Sequence, residues 1–213
     1  MPKVWEKTHS EYSILVWQST EPLEELLEMA SLNEADLKKF NAFISLSRKR
    51  EWLTVRKLLK LLLPGPESTL ITYEENGRPR LEGCHLSISH SHEWIAIMVS
   101  QKHKIGIDIE IVGSRIENLA KKFLSSEENN SANSPHRIEK LHIMWGAKEV
   151  LYKIHAFGNV IFNKDLFVFP IDNAASGHVR ASLLKKGYEG EYTIHYLKID
   201  DYMLAWSVEK KGK

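Results

Sequence analysis

Hydrophobic and polar residues follow regular patterns in the first third of the chain. A continuous apolar run from Ile14 to Trp17 is typical of a buried strand. Farther on, apolar residues recur with the repeat of an amphipathic helix, and a Pro-Gly-Pro sequence ends the last such pattern. The patterns predict a strand over Tyr12–Gln18 and three helices: one over Pro22–Ala30, one that carries Leu37, Phe40 and Ile44, and one over Arg48–Leu63.

The middle of the chain favours strands joined by short turns. A strand is predicted over Leu70–Glu74, followed by a turn over Glu75–Pro79 that contains the tight Asn-Gly signal. Further strand patterns cover Leu86–Ser89, Trp94–Val99 and Ile105–Glu110. Because these three strands follow one another with short connections, we expect them to form an antiparallel meander.

The last part of the chain combines helical and strand patterns. Helices are predicted over Ile116–Leu124 and Arg137–Ala156, and the polar, Asn- and Ser-rich segment Ser125–Ser134 between them is expected to be a mobile, irregular loop. The tail, Asp165–Val208, has the pattern of about four strands with glycine-containing turns. This order of elements predicts an α+β fold with two halves, residues 1–104 and 105–213.

Composition places the chain in an ordinary class. It has 213 residues, 43% hydrophobic and 27% charged, and a formal net charge of +1, so no global field draws it to nucleic acid or to a membrane. The single cysteine, Cys84, excludes an internal disulfide and a thiolate zinc cluster. The first residues lack the apolar run of a signal peptide, and we therefore expect a cytoplasmic location.

The segment Ile105–Glu110 contains the first candidate functional residues. Its three isoleucines alternate with Gly106, Asp108 and Glu110, so both carboxylates point to one face of a strand, about 6.6 Å apart. Such like charges are unfavourable unless a positive group lies between them, and an oxygen-preferring divalent cation would supply that charge. The simpler interpretation is that this face is exposed to water.

The long helix carries the second candidate. Trp145, Glu149 and Lys153 are four residues apart and share one face, where Glu149 and Lys153 could form an ordinary ion pair. Gly146 in the middle of this helix costs about 1 kcal/mol relative to alanine. We therefore expect another part of the protein to pack closely against Gly146.

Two further groups of side chains have both a simple and a functional interpretation. His90 and His92 are typical of structural histidines, but together with Asp108 and Glu110 they could form a zinc or iron site of a metallohydrolase. The basic residues of the third helix are typical of a solvated face, but their guanidinium groups also suit phosphate. These basic residues are Arg48, Lys49, Arg50, Arg56 and Lys57.

Three motifs in this order resemble the 4'-phosphopantetheinyl transferases. They are Ser87-Ile-Ser-His90-Ser, Gly106-Ile-Asp-Ile-Glu110 and Trp145-Gly-Ala-Lys-Glu-Val-Leu-Tyr-Lys153. The basic third helix, the Gly77-Arg78-Pro79 turn and residues 121–128 add weaker similarity, so that the resemblance covers about residues 40–170. The chain is similar to the longer type, typified by the surfactin-synthetase activating enzyme. That type implies a monomer in which two similar α+β subdomains form a pseudo-dimer with the active site at their junction.

The resemblance implies transfer of 4'-phosphopantetheine from coenzyme A to a serine of an apo acyl or peptidyl carrier protein. The products would be the holo carrier and 3',5'-ADP, and Mg²⁺ would be the cofactor. A carrier that presents an acidic helix beside its serine would be the partner, with no nucleic acid and no membrane. A relative that binds coenzyme A or a carrier without catalysis is the alternative within the family.

The resemblance also assigns roles to individual residues. Asp108, Glu110 and Glu149 would hold magnesium, and Glu149 would also take the proton from the carrier serine. Lys153 would stabilise the departing phosphate. The contacts to coenzyme A would be Arg78, Ser89, His90, Lys148, Lys153 and, for the 3'-phosphate, one of Arg48, Arg50 and Arg56.

Overall fold

The computed structural model describes residues 3–30, 32–63, 65, 71–75, 77–155 and 159–209. The chain divides into two compact units, residues 1–102 and residues 103–213. Both units combine helices with antiparallel sheets, so the predicted α+β class is confirmed. No helix in the described ranges is long and apolar enough to cross a membrane.

The first unit is built on a four-stranded antiparallel sheet with the strand order β1-β2-β6-β5. In chain order its elements are β1 (Lys3–Thr8), β2 (Ser13–Gln18), α1 (Leu23–Ala30), α2 (Glu34–Ala42), α3 (Leu46–Leu62), β3 (Thr72–Tyr73), β4 (Pro79–Arg80), β5 (His85–Ser91) and β6 (Trp94–Ser100). The edge strand β1 has only two hydrophobic residues and was not predicted from the sequence. The predicted Leu70–Glu74 strand is shorter in the structure, and its first residue, Leu70, lies outside the described residues.

Helix α3 covers one face of this sheet. Its buried residues Val55, Leu58 and Leu59 share a hydrophobic cluster with alternate residues of β2 and β6, because side chains on a strand alternate between two faces. The sheet contributes Leu15, Trp17, Ile95, Ile97 and Val99 to this cluster. The packing fixes the direction of α3, whose first turns carry the basic residues.

The second unit is built on a five-stranded antiparallel sheet with the strand order β7-β11-β10-β9-β8. In chain order its elements are β7 (Ile105–Ile111), α4 (Arg115–Phe123), α5 (Ser126–Ser131), α6 (Arg137–His155), α7 (Phe162–Asp165), β8 (Leu166–Val168), β9 (Ser176–Leu183), β10 (Gly190–Ile199) and β11 (Tyr202–Val208). The four strands predicted for the tail are all present. Helix α6 packs along β7 and β11 and buries Leu141, Met144, Ala147 and Val150 completely.

Two expectations for this region are wrong. Strand β7 does not continue a meander with β5 and β6, because it pairs with β11 instead, in a register that runs from Ile105 opposite Val208 to Ile111 opposite Tyr202. The segment after α4 is not irregular, because it forms α5. Ser125 and Glu128 build a capping box at its start: the Ser125 hydroxyl accepts from the Glu128 N–H, and the Glu128 carboxylate accepts from the Ser125 N–H.

Candidate active site

Two glycines allow strand β7 and helix α6 to approach closely. A Cβ atom added at Gly106 would overlap the backbone oxygen of Val150. A Cβ atom added at Gly146 would lie 3.0 Å from the Cβ of Ala205 on β11 and 3.7 Å from a carboxylate oxygen of Asp108. The expectation that another element packs against Gly146 is therefore confirmed, and the contact brings the acidic strand against the helix that carries Glu149.

Replacing Gly106 by alanine is expected to destabilise the protein by about 1–3 kcal/mol, because a methyl group would force β7 away from the α6 backbone. Urea unfolding followed by circular dichroism measures this loss. Gly113→Ala is the matched control, since nothing lies within 4 Å of a Cβ added there. Equal stability of the two variants would contradict the close contact.

Asp108 and Lys153 form an ion pair between β7 and α6. The Lys153 ammonium donates to Oδ1 of Asp108 at 2.8 Å and to the backbone oxygen of Ile107 at 2.9 Å. The Asp108 side chain is 6% exposed and that of Lys153 is 24% exposed. One face of the lysine therefore anchors the buried carboxylate, and two of its three ammonium hydrogens are used within the protein.

Glu149 lies one helical turn before Lys153 and has an unusual affinity for a proton. Its pKa is raised from 4.5 to about 7, mainly by burial and also by the negative charges of Asp108 and Glu110, against the positive charge of Lys153, which lowers it. A carboxylate with a pKa near neutrality is partly ionised at physiological pH and is a stronger base than an ordinary glutamate. The position therefore suits a general base.

Asp108, Glu110 and Glu149 are the candidate metal ligands. In the described parts of the chain, no group of three or more His, Cys, Asp or Glu residues is arranged to hold a metal ion. The donor chemistry nevertheless fits Mg²⁺, since the three side chains offer only carboxylate oxygens. A divalent cation would also offset the repulsion by which Asp108 and Glu110 raise the pKa of Glu149.

One histidine of the alternative, histidine-based metal site has a structural explanation. His92 lies in the two-residue turn between β5 and β6, where its φ is +53°. The side chain of His92 is exposed, and its position in a tight turn accounts for its conformation without a metal ion.

The first unit contains a cavity of about 180 Å³ beside the start of α3. Three of the residues assigned to coenzyme A, Arg48, Arg56 and His90, line it, together with Gly77 and Pro79 of the hairpin turn. Arg78 lies between these two turn residues and is half-buried, and Asn76 lies outside the described residues. The other walls are mainly apolar and aromatic: Trp52, Val55, Tyr73, Ile88 and Ile95.

Two residues assigned to coenzyme A have structural roles instead. Lys148 is fully buried, and its ammonium donates to a Glu128 carboxylate oxygen at 2.8 Å and to three backbone oxygens, of Phe123, Phe162 and Leu166. Arg56 is also fully buried, pairs with Asp36 at 3.1 Å and lies over the Trp52 ring. Arg56 lines the cavity, but Asp36 compensates its charge, so neither side chain is free for its expected role.

The remaining assigned residues are only partly available. Arg50 donates to the backbone oxygen of Glu21, and Ser89 is 7% exposed on β5. The sequence analysis missed Glu128 as the partner of Lys148. The Ser-x-x-Glu pattern that starts at Ser125 is typical of a helix N-terminus and could have indicated that Glu128 lies in a helix. The sequence analysis also missed Glu51, which lines the cavity between Arg48 and His90.

Comparison with known proteins agrees with the motifs. The relatives include a 4'-phosphopantetheinyl transferase of Bacillus subtilis, 31% identical over 130 residues, which covers 60% of this chain and 56% of the relative. The 4'-phosphopantetheinyl transferase gsp of Aneurinibacillus migulanus is 32% identical over 108 residues, 47% of this chain and 44% of the relative. AcpT of Escherichia coli (strain K12), also a 4'-phosphopantetheinyl transferase, is 32% identical over 104 residues, 46% of this chain and 52% of the relative.

The chain thus spans about half the length of the relatives it matches. The family model of the 4'-phosphopantetheinyl transferase superfamily matches residues 104–207, a region that contains β7, α6 and all three candidate carboxylates. Through these residues, the second half of the chain is similar to the 4'-phosphopantetheinyl transferase superfamily.

Proposed function

We propose that the protein transfers 4'-phosphopantetheine from coenzyme A to a serine hydroxyl of an apo carrier protein and releases 3',5'-ADP. The observation that carries this proposal is the environment of Glu149, whose pKa of about 7 is raised by burial and by Asp108 and Glu110. The family model that matches residues 104–207 is that of the 4'-phosphopantetheinyl transferase superfamily, and the relatives are named 4'-phosphopantetheinyl transferases. A buried base of this strength suits the activation of a hydroxyl nucleophile.

The proposed reaction uses two residues of α6 directly. Glu149 takes the proton of the carrier serine while the serine oxygen forms a bond to the phosphorus next to pantetheine. The bond between that phosphorus and the bridging pyrophosphate oxygen breaks, and the electron pair leaves with 3',5'-ADP. Lys153 has one ammonium hydrogen beyond those given to Asp108 and Ile107, and this group stabilises the departing phosphate.

Asp108, Glu110 and Glu149 would hold Mg²⁺. When bound, the ion supplies positive charge to the pyrophosphate oxygens. The protein's own part is to keep Asp108 fixed on β7 through Lys153 and to keep Glu149 poorly solvated, so that its basicity is preserved.

The proposed contacts to coenzyme A in the first unit are Arg48, Arg50, Arg78, Ser89 and His90. Arg48 and His90 line the cavity, which has an apolar interior and basic groups at its edge, as a nucleotide base with an attached phosphate requires. Lys148 and Arg56 are left out of this set because their charges are compensated inside the protein by Glu128 and Asp36. A cytoplasmic location and a monomeric state stay predictions from the sequence.

A panel of apo acyl and peptidyl carrier proteins tests the function. Each carrier is incubated with the protein, coenzyme A and Mg²⁺, and the mass of the intact carrier is then measured. At least one carrier is expected to gain one phosphopantetheine group, and an excess of chelator is expected to abolish the gain. A carrier whose serine is replaced by alanine is the control, and no gain on any carrier would contradict the proposal.

A further inference from the structure

A single carboxylate oxygen lies close to two basic side chains that line the cavity. Oε2 of Glu51 accepts from Arg48 at 3.2 Å and lies 3.6 Å from Nε2 of His90. Arg48 and Glu51 are one turn apart on α3, whereas His90 belongs to β5. The carboxylate therefore connects the helix to the strand at the place where a ligand would enter.

The three side chains differ in how far they are exposed. The side chains of Arg48 and His90 are 49% and 44% exposed, whereas that of Glu51 is only 18% exposed. The two basic side chains thus face solvent, whereas the carboxylate between them is largely buried. Without Glu51, each exposed side chain would sample several rotamers, and binding a ligand would have to order both.

The charge of the cavity wall supports the same interpretation. Three basic residues are among the described residues that line the cavity, and one of these, Arg56, is compensated by Asp36. The other two, Arg48 and His90, are partly exposed and can contact a bound anion. Glu51 lies close to the positive charge of Arg48, so its own field on a nearby phosphate is largely cancelled, whereas its ordering of the two side chains persists.

We infer that Glu51 is a positioning residue that orients Arg48 and His90 to receive the 3'-phosphate of the nucleotide bound in this cavity. This inference rests on the proposed function for the identity of the nucleotide. Arg48 uses one N–H on Glu51 and retains the rest of its guanidinium donors for phosphate oxygens. Glu51 itself does not touch the ligand, and its effect is confined to the part of the nucleotide that carries the 3'-phosphate.

Direct binding tests the inference without any transfer reaction. Calorimetry with 3',5'-ADP and with 5'-ADP compares the wild type with Glu51→Gln. The variant is expected to bind 3',5'-ADP about tenfold more weakly, with unchanged affinity for 5'-ADP, because only the former has the phosphate that the oriented pair receives. Glu51→Asp, which keeps the charge, is expected to recover part of the loss, and Glu25→Gln on the exposed face of α1 is the matched control.

Several outcomes would overturn the inference: Glu51→Gln binding 3',5'-ADP as tightly as the wild type or more tightly, an equal loss for both nucleotides, or no binding of 3',5'-ADP by the wild type. In the carrier assay, the variant is expected to raise KM for coenzyme A about tenfold with little change in kcat. Selective loss of 3',5'-ADP binding in a protein that modifies no carrier would support Glu51 and reject the proposed function.

Discussion

Replacing Glu149 by glutamine is expected to lower the rate of carrier modification by about 10²–10⁴-fold, the usual contribution of a general base. Glutamine keeps the shape of the side chain but cannot accept the serine proton. The fall should be in kcat, since Glu149 acts on the nucleophile, and is measured by single-turnover transfer to a carrier. Undiminished transfer by Glu149→Gln would place the base elsewhere.

The same substitution has an opposite effect on stability. Because the pKa of Glu149 is raised from 4.5 to about 7 in the folded protein, its protonated form stabilises the fold below pH 4.5. This stabilisation is lost as the pH rises to about 7. With a chelator present, the wild type should therefore lose up to about 3 kcal/mol relative to Glu149→Gln over this range, measured by urea unfolding.

The Glu149→Gln variant also separates a catalyst from a binding protein. A non-catalytic member of the superfamily would bind coenzyme A and carriers equally well with either side chain, and neither form would modify a carrier. With a chelator present, so that no Mg²⁺ contributes, a catalyst should retain 3',5'-ADP binding in the variant, and with Mg²⁺ it should lose the transfer step. Combined with the raised stability at neutral pH, this pattern would exclude misfolding as the cause of the lost activity.

Replacing Lys148 by methionine is expected to cost about 3–5 kcal/mol of folding stability, as is usual when one partner of a buried ion pair is removed. Methionine fills a similar volume but supplies no charge. The variant would leave the fully buried Glu128 carboxylate without its cation and three backbone oxygens without their donor. The loss is measured as the change in the free energy of unfolding by urea.

An exposed ion pair gives the comparison for Lys148. Arg180 and Glu191 lie 4.0 Å apart with side chains 62% and 64% exposed. Glu191→Gln is expected to change stability by at most about 0.5 kcal/mol, because water and salt screen such a pair. If Lys148→Met were as mild as Glu191→Gln, the buried network would contribute little to the fold.

Local patterns were sufficient for most elements of the fold. The apolar repeats of α3 and α6 and the alternation of β7 predicted these elements to within a few residues. The partner of β7 could not be predicted in the same way. Its pairing residues in β11 lie about a hundred positions later, and no local pattern distinguishes a strand that pairs with its neighbour from one that pairs across the chain.

Only part of the candidate site could be predicted from the sequence, because the sequence does not give the tertiary packing. Motif spacing gave the residue types on β7 and α6 but not the direction in which each side chain points. Lys148 and Glu149 are neighbours in the sequence, yet a helix turns by about 100° per residue, so Lys148 contacts Glu128 whereas Glu149 lies near the carboxylates of β7. Only the packing of α6 reveals that Lys148 holds Glu128 instead of a phosphate.

The contact between Gly106 and the backbone of Val150 limits how this protein can be altered by engineering. A library that varies the central part of α6 would change the anchoring lysine, the base and the helix surface that meets the strand all at once. Substitutions in this part of α6 that raise the thermal stability would therefore also lower the rate of transfer. Randomisation aimed at altered cosubstrates has more freedom at exposed positions beside Arg48 and His90, provided that these two side chains are kept.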